Sequence, residues 1–347
     1  MLTLKRLSRT NLDIPGGTSW YLADLSEFKG KQALFTHQAP QRLKALRESA
    51  LIESAVSSNR IEGVTLDKDR TKAVLQGAKP LFRDRDEEEV RGYREALSLL
   101  HGITKASAIN ESRILKLHRM VRGKIWDAGK YKDKDGDIIE TYSDGRSRVR
   151  FKTVSAKATP KAMKELIESW IDCNKDRSIH PLIAMAAFNL DFLCIHPFRD
   201  GNGRVSRLIL LAQCYELGFE VGRYISIERL IEQNKVRYYE TLEDCSQGWH
   251  EGKNNPWPYI NFILNMLKQA YLEFESRVGN LDVPRGSKTE MVLAAIARMQ
   301  NEFTLVQLEQ ACTGVSRDMI RKVLADQKEK SVASIGRGPA ALWRKLG

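Results

Sequence analysis

The sequence predicts a mainly α protein that contains one β-hairpin and ends in a small separate domain. Apolar residues recur at helical spacing through most of residues 1–278. The exception lies near Val149, where apolar and basic residues alternate with the period of a β-strand. Residues 278–288 are rich in Gly, Pro and charge, as a linker would be. These patterns predict a helical N-terminal region over residues 1–95, a helical core over 96–278 and a further domain over 285–347.

The N-terminal region is predicted to begin with an irregular segment, TSWYLADL (residues 18–25), and then to form a helix. From Ala39 to Ile61 apolar side chains fall near helical spacing, as Leu43 and Ala50 illustrate. Gly63 follows this run and favours a helix end, because glycine adopts the left-handed conformation found there. The segment SSNRIEG is therefore expected at the end of a helix.

The central region contains one strongly apolar run and one hairpin. The run PLIAMAAFNLDFLC, residues 181–194, has 14 residues, whereas a helix needs about 20 to span a bilayer. We therefore expect a core helix. Asp144 and Gly145 supply a hairpin turn, and Val149 and Phe151 alternate with basic neighbours after it. This predicts a single hairpin over about residues 138–154.

Composition narrows the class of protein. Hydrophobic residues make up 42% and charged residues 29%, as in ordinary globular proteins. The N-terminal sequence lacks the apolar run of a secretory signal, so we expect a cytoplasmic protein without a membrane segment. The five cysteines are widely spaced and form no C-x-x-C pair, which favours buried thiols over zinc or redox sites. A net charge of +12 favours anionic partners such as nucleotides, phosphates or nucleic acid.

The last segment is predicted to contain three helices, followed by two short β-like runs with Gly-rich turns between them. This order is similar to a winged helix, in which the third helix, residues 316–327, would face DNA. Residues 285–347 carry 11 basic and 6 acidic side chains, a net charge of +5. That charge is compatible with DNA contact, and protein docking or dimer support is the alternative.

The stretch CIHPFRDGNGRVSRLILL, residues 194–211, places many polar groups between two apolar runs. Pro197 disfavours the α conformation at His196, so the preceding helix ends there, and a new helical repeat begins a few residues later. Gly201 and Gly203 allow the backbone of the intervening loop to approach a ligand closely. Because N–H groups at a helix N-terminus attract anions, we expect a cradle for phosphate.

The charged residues of this stretch favour the same interpretation. Arg204 and Arg207 lie near the helix start, where a cation opposes the helix dipole at a cost of about 0.3–1 kcal/mol. A bound anionic ligand makes the two cations favourable at this position, because two guanidiniums can clamp phosphate oxygens. Asp200 offers a hard oxygen ligand for Mg²⁺, whose coordination substrate phosphates would complete. His196 belongs to the residue type best suited to accept a proton from an attacking hydroxyl at neutral pH.

The segment HPFRDGNGRVSR, residues 196–207, resembles the HPFx(D/E)GNGRxxR signature of the Fic-domain family at every position. The resemblance implies a mainly α Fic-domain core with a β-hairpin flap, and the transfer of AMP from ATP to a hydroxyl of a target protein with release of pyrophosphate. It implies His196 as the general base, Asp200 as the Mg²⁺ ligand, the glycines as the phosphate cradle and the two arginines as clamps for the β- and γ-phosphates. The implied nucleotide-binding residues of this segment are Asp200, Gly201, Asn202, Gly203, Arg204, Val205, Ser206 and Arg207.

Two further segments resemble parts of this family. The hairpin looks like the family's flap, whose exposed edge pairs with the target chain as an added strand. Tyr238 and Tyr239 look like the family's paired tyrosines near the nucleotide, whereas packing alone favours core residues on a helix face. A few relatives place an amide seven residues after the second tyrosine, where this chain has Ser246. The flap residues implied to lie at the nucleotide are Val149, Arg150, Phe151 and Lys152.

SSNRIEG resembles the family's (S/T)xxxE(G/N) inhibitory motif over residues 58–63, with Ser58 and Glu62 at its defining positions. The alternative is an ordinary solvated helix end. Glu62 lies at the negative end of its helix and Arg207 near the positive end of another, so each charge is misplaced and each could satisfy the other. We therefore predict a Glu62–Arg207 pair that takes the place of the γ-phosphate and holds the enzyme inactive. In some relatives this glutamate orients water to remove AMP, and relatives with an inhibitory helix often form homodimers.

Two other functions remain open from the sequence. One relative of the Fic-domain family transfers the γ-phosphate of ATP, so a phosphotransferase is an alternative. The second is a DNA-binding regulator whose nucleotide site acts as a sensor.

Overall fold

The chain divides into two compact units, Met1–Glu275 and Ser276–Gly347. The predicted linker at residues 278–288 lies largely outside the described residues, and the predicted division into three parts stays a prediction. The computed structural model describes residues 2–9, 12–36, 40–64, 85–102, 108–141, 144–279, 287–299, 301–312, 315–336 and 342–346.

The first unit is helical apart from one hairpin, as its described residues show. A short 3₁₀ turn lies at Val221–Arg223, and the hairpin strands are β1 (Ile138–Thr141) and β2 (Ser147–Phe151). The helices are α1 (Thr3–Leu7), α2 (Gly16–Thr36), α3 (Pro40–Ile61), α4 (Arg85–Gly102), α5 (Glu111–Arg122), α6 (Thr159–Asp176), α7 (Pro181–Ile195), α8 (Asn202–Glu216), α9 (Ile227–Gln233), α10 (Lys235–Ser246) and α11 (Trp257–Gly279).

Local sequence explains where several of these helices begin and end. The Asn110 side chain accepts a hydrogen bond of 2.9 Å from the backbone N–H of Arg113 and so caps the start of α5. At the other end Gly123 has a φ of 59°, a conformation that glycine adopts readily. His180 accepts from the N–H of Leu182 at 3.2 Å at the start of α7, and Pro181 occupies the first turn.

The irregular start predicted for residues 18–25 is wrong, because these residues lie within α2. Glycine, serine and threonine near the start of this segment have low helix propensity, which suggested a loop. The helix forms because Thr18, Leu22 and Leu25 recur at helical spacing and are all buried. Packing against the rest of the unit therefore outweighs local propensity here.

Helix α7 is the centre of the core and positions the loop that follows it. Nearly every residue of α7 is buried, and it packs between α6 and α8. The prediction of a core helix at residues 181–194 is confirmed. In the part of the chain that the structure describes, no helix has the length and apolar character that crossing a membrane requires. All five cysteines are buried and outside disulfides, as the sequence predicted.

The predicted hairpin is also present. Strands β1 and β2 pair antiparallel, with Ile139 opposite Val149 and a register shift at Ile138. Gly145 in the connection has a φ of 82°, consistent with the predicted Asp-Gly turn. Ile139 and Val149 are 61% and 58% exposed, so the hairpin presents an apolar pair to solvent.

The second unit contains three helices and a small sheet among its described residues. The helices are α12 (Ser287–Arg298), α13 (Leu305–Ala311) and α14 (Arg317–Gln327), and the strands are β3 (Glu302–Thr304), β4 (Val332–Ile335) and β5 (Leu342–Lys345). The sheet is antiparallel, with β5 between β3 and β4. Its core includes Ile296, Phe303, Leu308 and Leu324. Whether this unit acts as a winged helix stays a prediction.

Candidate active site

The loop between α7 and α8 carries the polar stretch found in the sequence. His196 ends α7 in the left-handed conformation, with φ 52° and ψ 61°, and its N–H donates to Phe192 O at 3.0 Å. Asn202 holds the loop closed, because its Oδ1 accepts from the N–H of Phe198 at 2.9 Å and its Nδ2 donates to Phe198 O at 2.8 Å. The Phe198 ring is buried beneath the loop. These contacts fix the loop shape before any ligand binds.

A histidine from α5 supports the same loop. The His118 ring stacks on Phe198 with centroids 3.7 Å apart. The N–H of Gly129 donates to its Nδ1 at 2.9 Å, so the proton lies on Nε2, which donates to Asp200 O at 3.1 Å. Burial lowers the pKa of His118 to about 4, which keeps this neutral tautomer at physiological pH. His118 therefore pins the backbone at Asp200.

Glu62 lies against the N-terminus of α8, where the sequence predicts an anion cradle. A Cβ atom added to Gly203 would lie 2.1 Å from Glu62 Oε1 and 3.3 Å from Arg207 Nη1. Only glycine leaves room there for a carboxylate or phosphate oxygen close to the helix end. The Glu62 side chain is 31% exposed, so it lines the cradle from the solvent side.

Arg207 is buried and binds both Ser58 and Glu62 of the segment 58–63. Its Nη2 lies 2.8 Å from Glu62 Oε1, and its Nη2 and Nε donate to Ser58 O and Ser58 Oγ, each at 2.8 Å. Burial alone would lower the pKa of Arg207, but the Glu62 carboxylate raises it above its ordinary value. Its Nη1 has no acceptor of normal geometry among the described residues, although it is buried. A buried guanidinium N–H without an acceptor, 3.3 Å from the Gly203 Cβ position, fits an anionic ligand.

Arg204 is held differently. It is 2% exposed and pairs with Glu89 of α4, with 2.6 Å between Nη1 and Oε2. Glu89 also accepts from Arg122 of α5 at 3.0 Å. The Asp200 carboxylate pairs with both arginines, at 2.7 Å from the guanidinium of Arg122 and 3.3 Å from that of Arg204. Arg204 is therefore already neutralised behind the loop, and its assignment as a phosphate clamp stays a prediction.

Asp200 is the residue that the sequence predicts as a magnesium ligand. Its side chain is 39% exposed and offers carboxylate oxygens at the edge of the loop. Across the described residues, no group of three or more His, Cys, Asp or Glu side chains could hold a metal ion by itself. One carboxylate plus substrate phosphates is the donor set expected for magnesium bound as a nucleotide complex.

A cleft of about 310 Å³ opens beside this loop. It brings together several of the predicted residues: His196, Gly203, Glu62, Arg150, Phe151, Tyr238 and Tyr239. Other predicted residues do not line it: Ser58, Asp200, Gly201, Asn202, Arg204, Val205, Ser206, Arg207, Val149 and Lys152.

Three of the predicted residues that do not line this cleft lie inside α8 or at a second cleft. Val205 and Ser206 are buried in α8; the N–H of Val205 donates to Gly201 O at 2.9 Å and Ser206 Oγ donates to Gly203 O at 2.7 Å. Lys152 lines a separate cleft of about 710 Å³, together with Thr153 and His250.

The hairpin is tied to α10 across the cleft. Glu243 accepts from Arg148 at 2.7 Å and pairs with Arg150 at 3.3 Å. Arg150 also donates to the backbone carbonyl of Tyr239. Tyr239 in turn donates from its hydroxyl to Ile61 O at 3.1 Å, which connects α10 to the end of α3. The hairpin, α10 and the end of α3 therefore share one set of contacts around the cleft.

The two tyrosines have different environments. Tyr238 is buried and packs against the rings of Tyr259 and Phe262, as the packing interpretation predicted, yet one part of it reaches the cleft. Tyr239 is more accessible, and its ring faces Arg150. Ser246 also lines the cleft, with its hydroxyl donating to Glu243 O at 2.8 Å.

His196 is held in its neutral form. Burial and, to a smaller extent, the ammonium of Lys132 lower its pKa to about 4, although the hydrogen bond with Leu193 O and the carboxylates of Glu62 and Asp200 oppose the shift. Its Nδ1 lies 3.3 Å from Leu193 O. The imidazole is therefore unprotonated at physiological pH, as a general base must be, although the lowered pKa makes it a weaker base than a free histidine.

Comparisons with known proteins agree with this arrangement. A model of the Fic/DOC family matches residues 108–214, and the chain therefore carries a Fic/DOC family domain. The chain is 28% identical over 243 residues to the protein adenylyltransferase Fic of Nematostella vectensis, covering 66% of this chain and 50% of that protein. It is 24% identical over 278 residues to the protein of the same name from Drosophila grimshawi, covering 77% and 52%. The chain thus spans about half the length of these relatives.

Solved structures show the same fold. A Fic family protein from Desulfovibrio desulfuricans G20 superposes with a TM-score of 0.63 at 23% identity, covering 98% of both chains. Residues 134–508 of Fic-1 from C. elegans superpose with a TM-score of 0.60 at 20% identity, covering 76% of this chain and 74% of that one. The predicted mainly α fold is confirmed by these likenesses.

Proposed function

We propose that this protein transfers AMP from MgATP to a Ser, Thr or Tyr hydroxyl of a target protein. The observation that carries the proposal is that a neutral His196 and the anion cradle at Gly203 open onto one cleft. His196 accepts the hydroxyl proton while the hydroxyl oxygen bonds to the α-phosphorus, and the bond from that phosphorus to the bridging oxygen breaks to release pyrophosphate. The relatives named adenylyltransferase support this reaction.

Different residues of this chain bind different parts of the two substrates. Backbone N–H groups at the start of α8 and the unsatisfied Nη1 of Arg207 hold phosphate oxygens. Asp200 binds the magnesium ion of the substrate, which neutralises phosphate charge. Tyr239, with its ring lining the cleft, contacts the nucleoside. The hairpin presents an edge that pairs with no other described strand, and the target segment adds to that edge with its hydroxyl toward His196.

The inhibitory role of Glu62 is part of the proposal. Its carboxylate lies in the cradle and on Arg207, where the γ-phosphate would bind. ATP then binds only in a pose that misaligns its α-phosphorus, and a displacement of about 1 Å costs on the order of 100-fold in rate. In the same position Glu62 orients water for removal of AMP from modified protein.

The test uses purified protein and a cell lysate with ATP labelled in either the α- or the γ-phosphate. We expect label in protein from α-labelled ATP only, and none with His196→Ala. Label that persists unchanged in His196→Ala would contradict the mechanism. Label from γ-labelled ATP only would establish the phosphotransferase alternative.

The DNA-binding alternative and homodimer formation stay predictions. A salt-dependent gel shift that is lost on charge reversal at Arg317 and Arg321, without any target labelling, would favour the regulator. Both arginines lie on α14 and are at least half exposed.

A further inference from the structure

Lys132 contacts both neighbours of His196 from outside the predicted signature. It lies in the connection between α5 and β1 and is 5% exposed. Its backbone N–H donates to Pro197 O at 2.9 Å. Its Nζ donates to Ile195 O at 3.3 Å. One residue thus binds the carbonyl groups on either side of the general base.

The backbone of His196 needs such support. A left-handed conformation is unfavourable for residues other than glycine, and His196 adopts it with φ 52° and ψ 61°. Such a conformation persists only where the surroundings determine it. The peptide group between Ile195 and His196 is held at both ends, because its carbonyl accepts from Lys132 Nζ and its N–H donates to Phe192 O, and the backbone N–H of Lys132 holds the carbonyl of Pro197 on the other side of His196. The direction of the imidazole depends on this backbone.

The ammonium group of Lys132 is oriented by a neutral acceptor. Its Nζ donates to Thr153 Oγ1 at 2.8 Å, and that hydroxyl donates to Gly136 O at 2.6 Å, so its lone pair is turned toward the lysine. Asp135 and Asp137 favour the charged form of this ammonium, and neither forms an ion pair with it in the part of the chain that the structure describes. The charge instead lies at the C-terminus of α7, where the helix dipole favours a cation. Burial lowers the pKa of Lys132 to about 8, so the group is mostly charged at neutral pH.

We infer that Lys132 is the positioning residue of His196, fixing the backbone on either side of it and with it the direction of the imidazole. The inference rests on the proposed function only for the role of His196 as a base. The cation lowers the pKa of His196, whereas Glu62 and Asp200 raise it. The other titratable side chains that line the cleft beside His196 are Arg150, Cys194, Tyr238, Tyr239 and Glu243.

The test compares Lys132→Met, which keeps the aliphatic stem, with Lys132→Arg, which keeps the charge. Lys134→Met is the matched control, because Lys134 is an exposed neighbour in the same connection. The first readout is NMR of His196 in the full chain without nucleotide or target. In Lys132→Met we expect the His196 titration midpoint to rise by on the order of one pH unit and its Cα and Cβ shifts to leave the left-handed range. Lys132→Arg should keep the midpoint low.

The second readout is the rate of AMP transfer. For Lys132→Met we expect kcat to fall on the order of 10- to 100-fold with KM for ATP nearly unchanged, because the cradle is intact. If Lys132→Met does not fold, Thr153→Val keeps the lysine but removes its acceptor and should give the same changes in smaller size. A midpoint and backbone shifts in Lys132→Met equal to those in Lys134→Met would overturn the inference. Absence of AMP transfer by the wild type would instead contradict the proposed function and leave the NMR test in force.

Discussion

Replacement of Glu62 by glycine should increase the rate of protein labelling, and the size of the increase can be worked out from the contacts of Glu62. The carboxylate makes one hydrogen bond of 2.8 Å to the buried Arg207 and lies at the positive end of α8. A hydrogen bond to a charged group contributes about 1.5–3 kcal/mol. Because the Glu62 side chain is 31% exposed, we take the lower part of this range, about 2 kcal/mol. This energy corresponds to a change of roughly 30-fold in the equilibrium between the occupied and the open cradle.

The assay is the initial rate of protein labelling from α-labelled ATP at a concentration below KM. We expect Glu62→Gly to label about 30-fold faster than the wild type, with Glu62→Gln intermediate because it keeps the shape without the charge. Folding should be retained, since α3 ends at Ile61 and Arg207 keeps its bonds to Ser58. A folded Glu62→Gly protein that labels no faster than the wild type, together with a wild type that removes no AMP, would refute the inhibitory reasoning.

Three further predictions follow from the site and the fold. Asp200→Asn should remove the dependence of labelling on magnesium together with most of the activity; a magnesium titration that matches the wild type would contradict its role. Gly92→Ala should destabilise the protein by about 1–3 kcal/mol, because the added Cβ would lie 2.1 Å from Met120 O. Gly30→Ala in α2 is the control: its Cβ meets nothing within 4 Å, so this variant should be neutral or stabilising. Denaturant melts of both variants measure the change in the free energy of unfolding. His118 and His196 have folded pKa values of about 4, below the ordinary 6.5, so the folded state binds fewer protons than the unfolded state between those values. Melting temperature should therefore fall as pH drops from 6.5 to 4, and a melting temperature that is constant over this window would contradict the assignment.

The sequence predicted the parts of the site whose signal is local. The loop glycines, the helix start after them and the core helix before them follow from periodicity and from Pro197. The Glu62–Arg207 pair is also present, because two charges that each oppose a helix dipole are natural partners. Its inhibitory effect stays a prediction.

The supporting residues were missed because their partners are distant in the chain. His118 and Arg122 hold Asp200, which is 82 and 78 residues away. One signal could have revealed them: both lie on the apolar face of α5, at helical spacing from Ile114, Leu117 and Val121. Polar side chains on a buried face must find partners, so their position marks them as part of a buried network. The partners themselves follow only from the tertiary fold.

The role of Lys132 is even less predictable from local sequence. The sequence around it, GKYKDKDG, contains four lysine or aspartate neighbours, and nothing local separates Lys132 from the exposed Lys130 and Lys134. Its burial arises because the connection after α5 passes under the end of α7, where Pro197 O and Ile195 O require donors. The need of these two carbonyl groups for a donor can be recognised only from the tertiary structure, in which the end of α7 lies beside Lys132.

The most direct test of the central claim is mass spectrometry of protein modified by Glu62→Gly. The variant is incubated with ATP and a lysate, and modified peptides are compared with those from Glu62→Gly/His196→Ala. We predict AMP on Ser, Thr or Tyr side chains with Glu62→Gly and none with the double variant. Phosphate alone on those side chains, or AMP that persists without His196, would contradict the account.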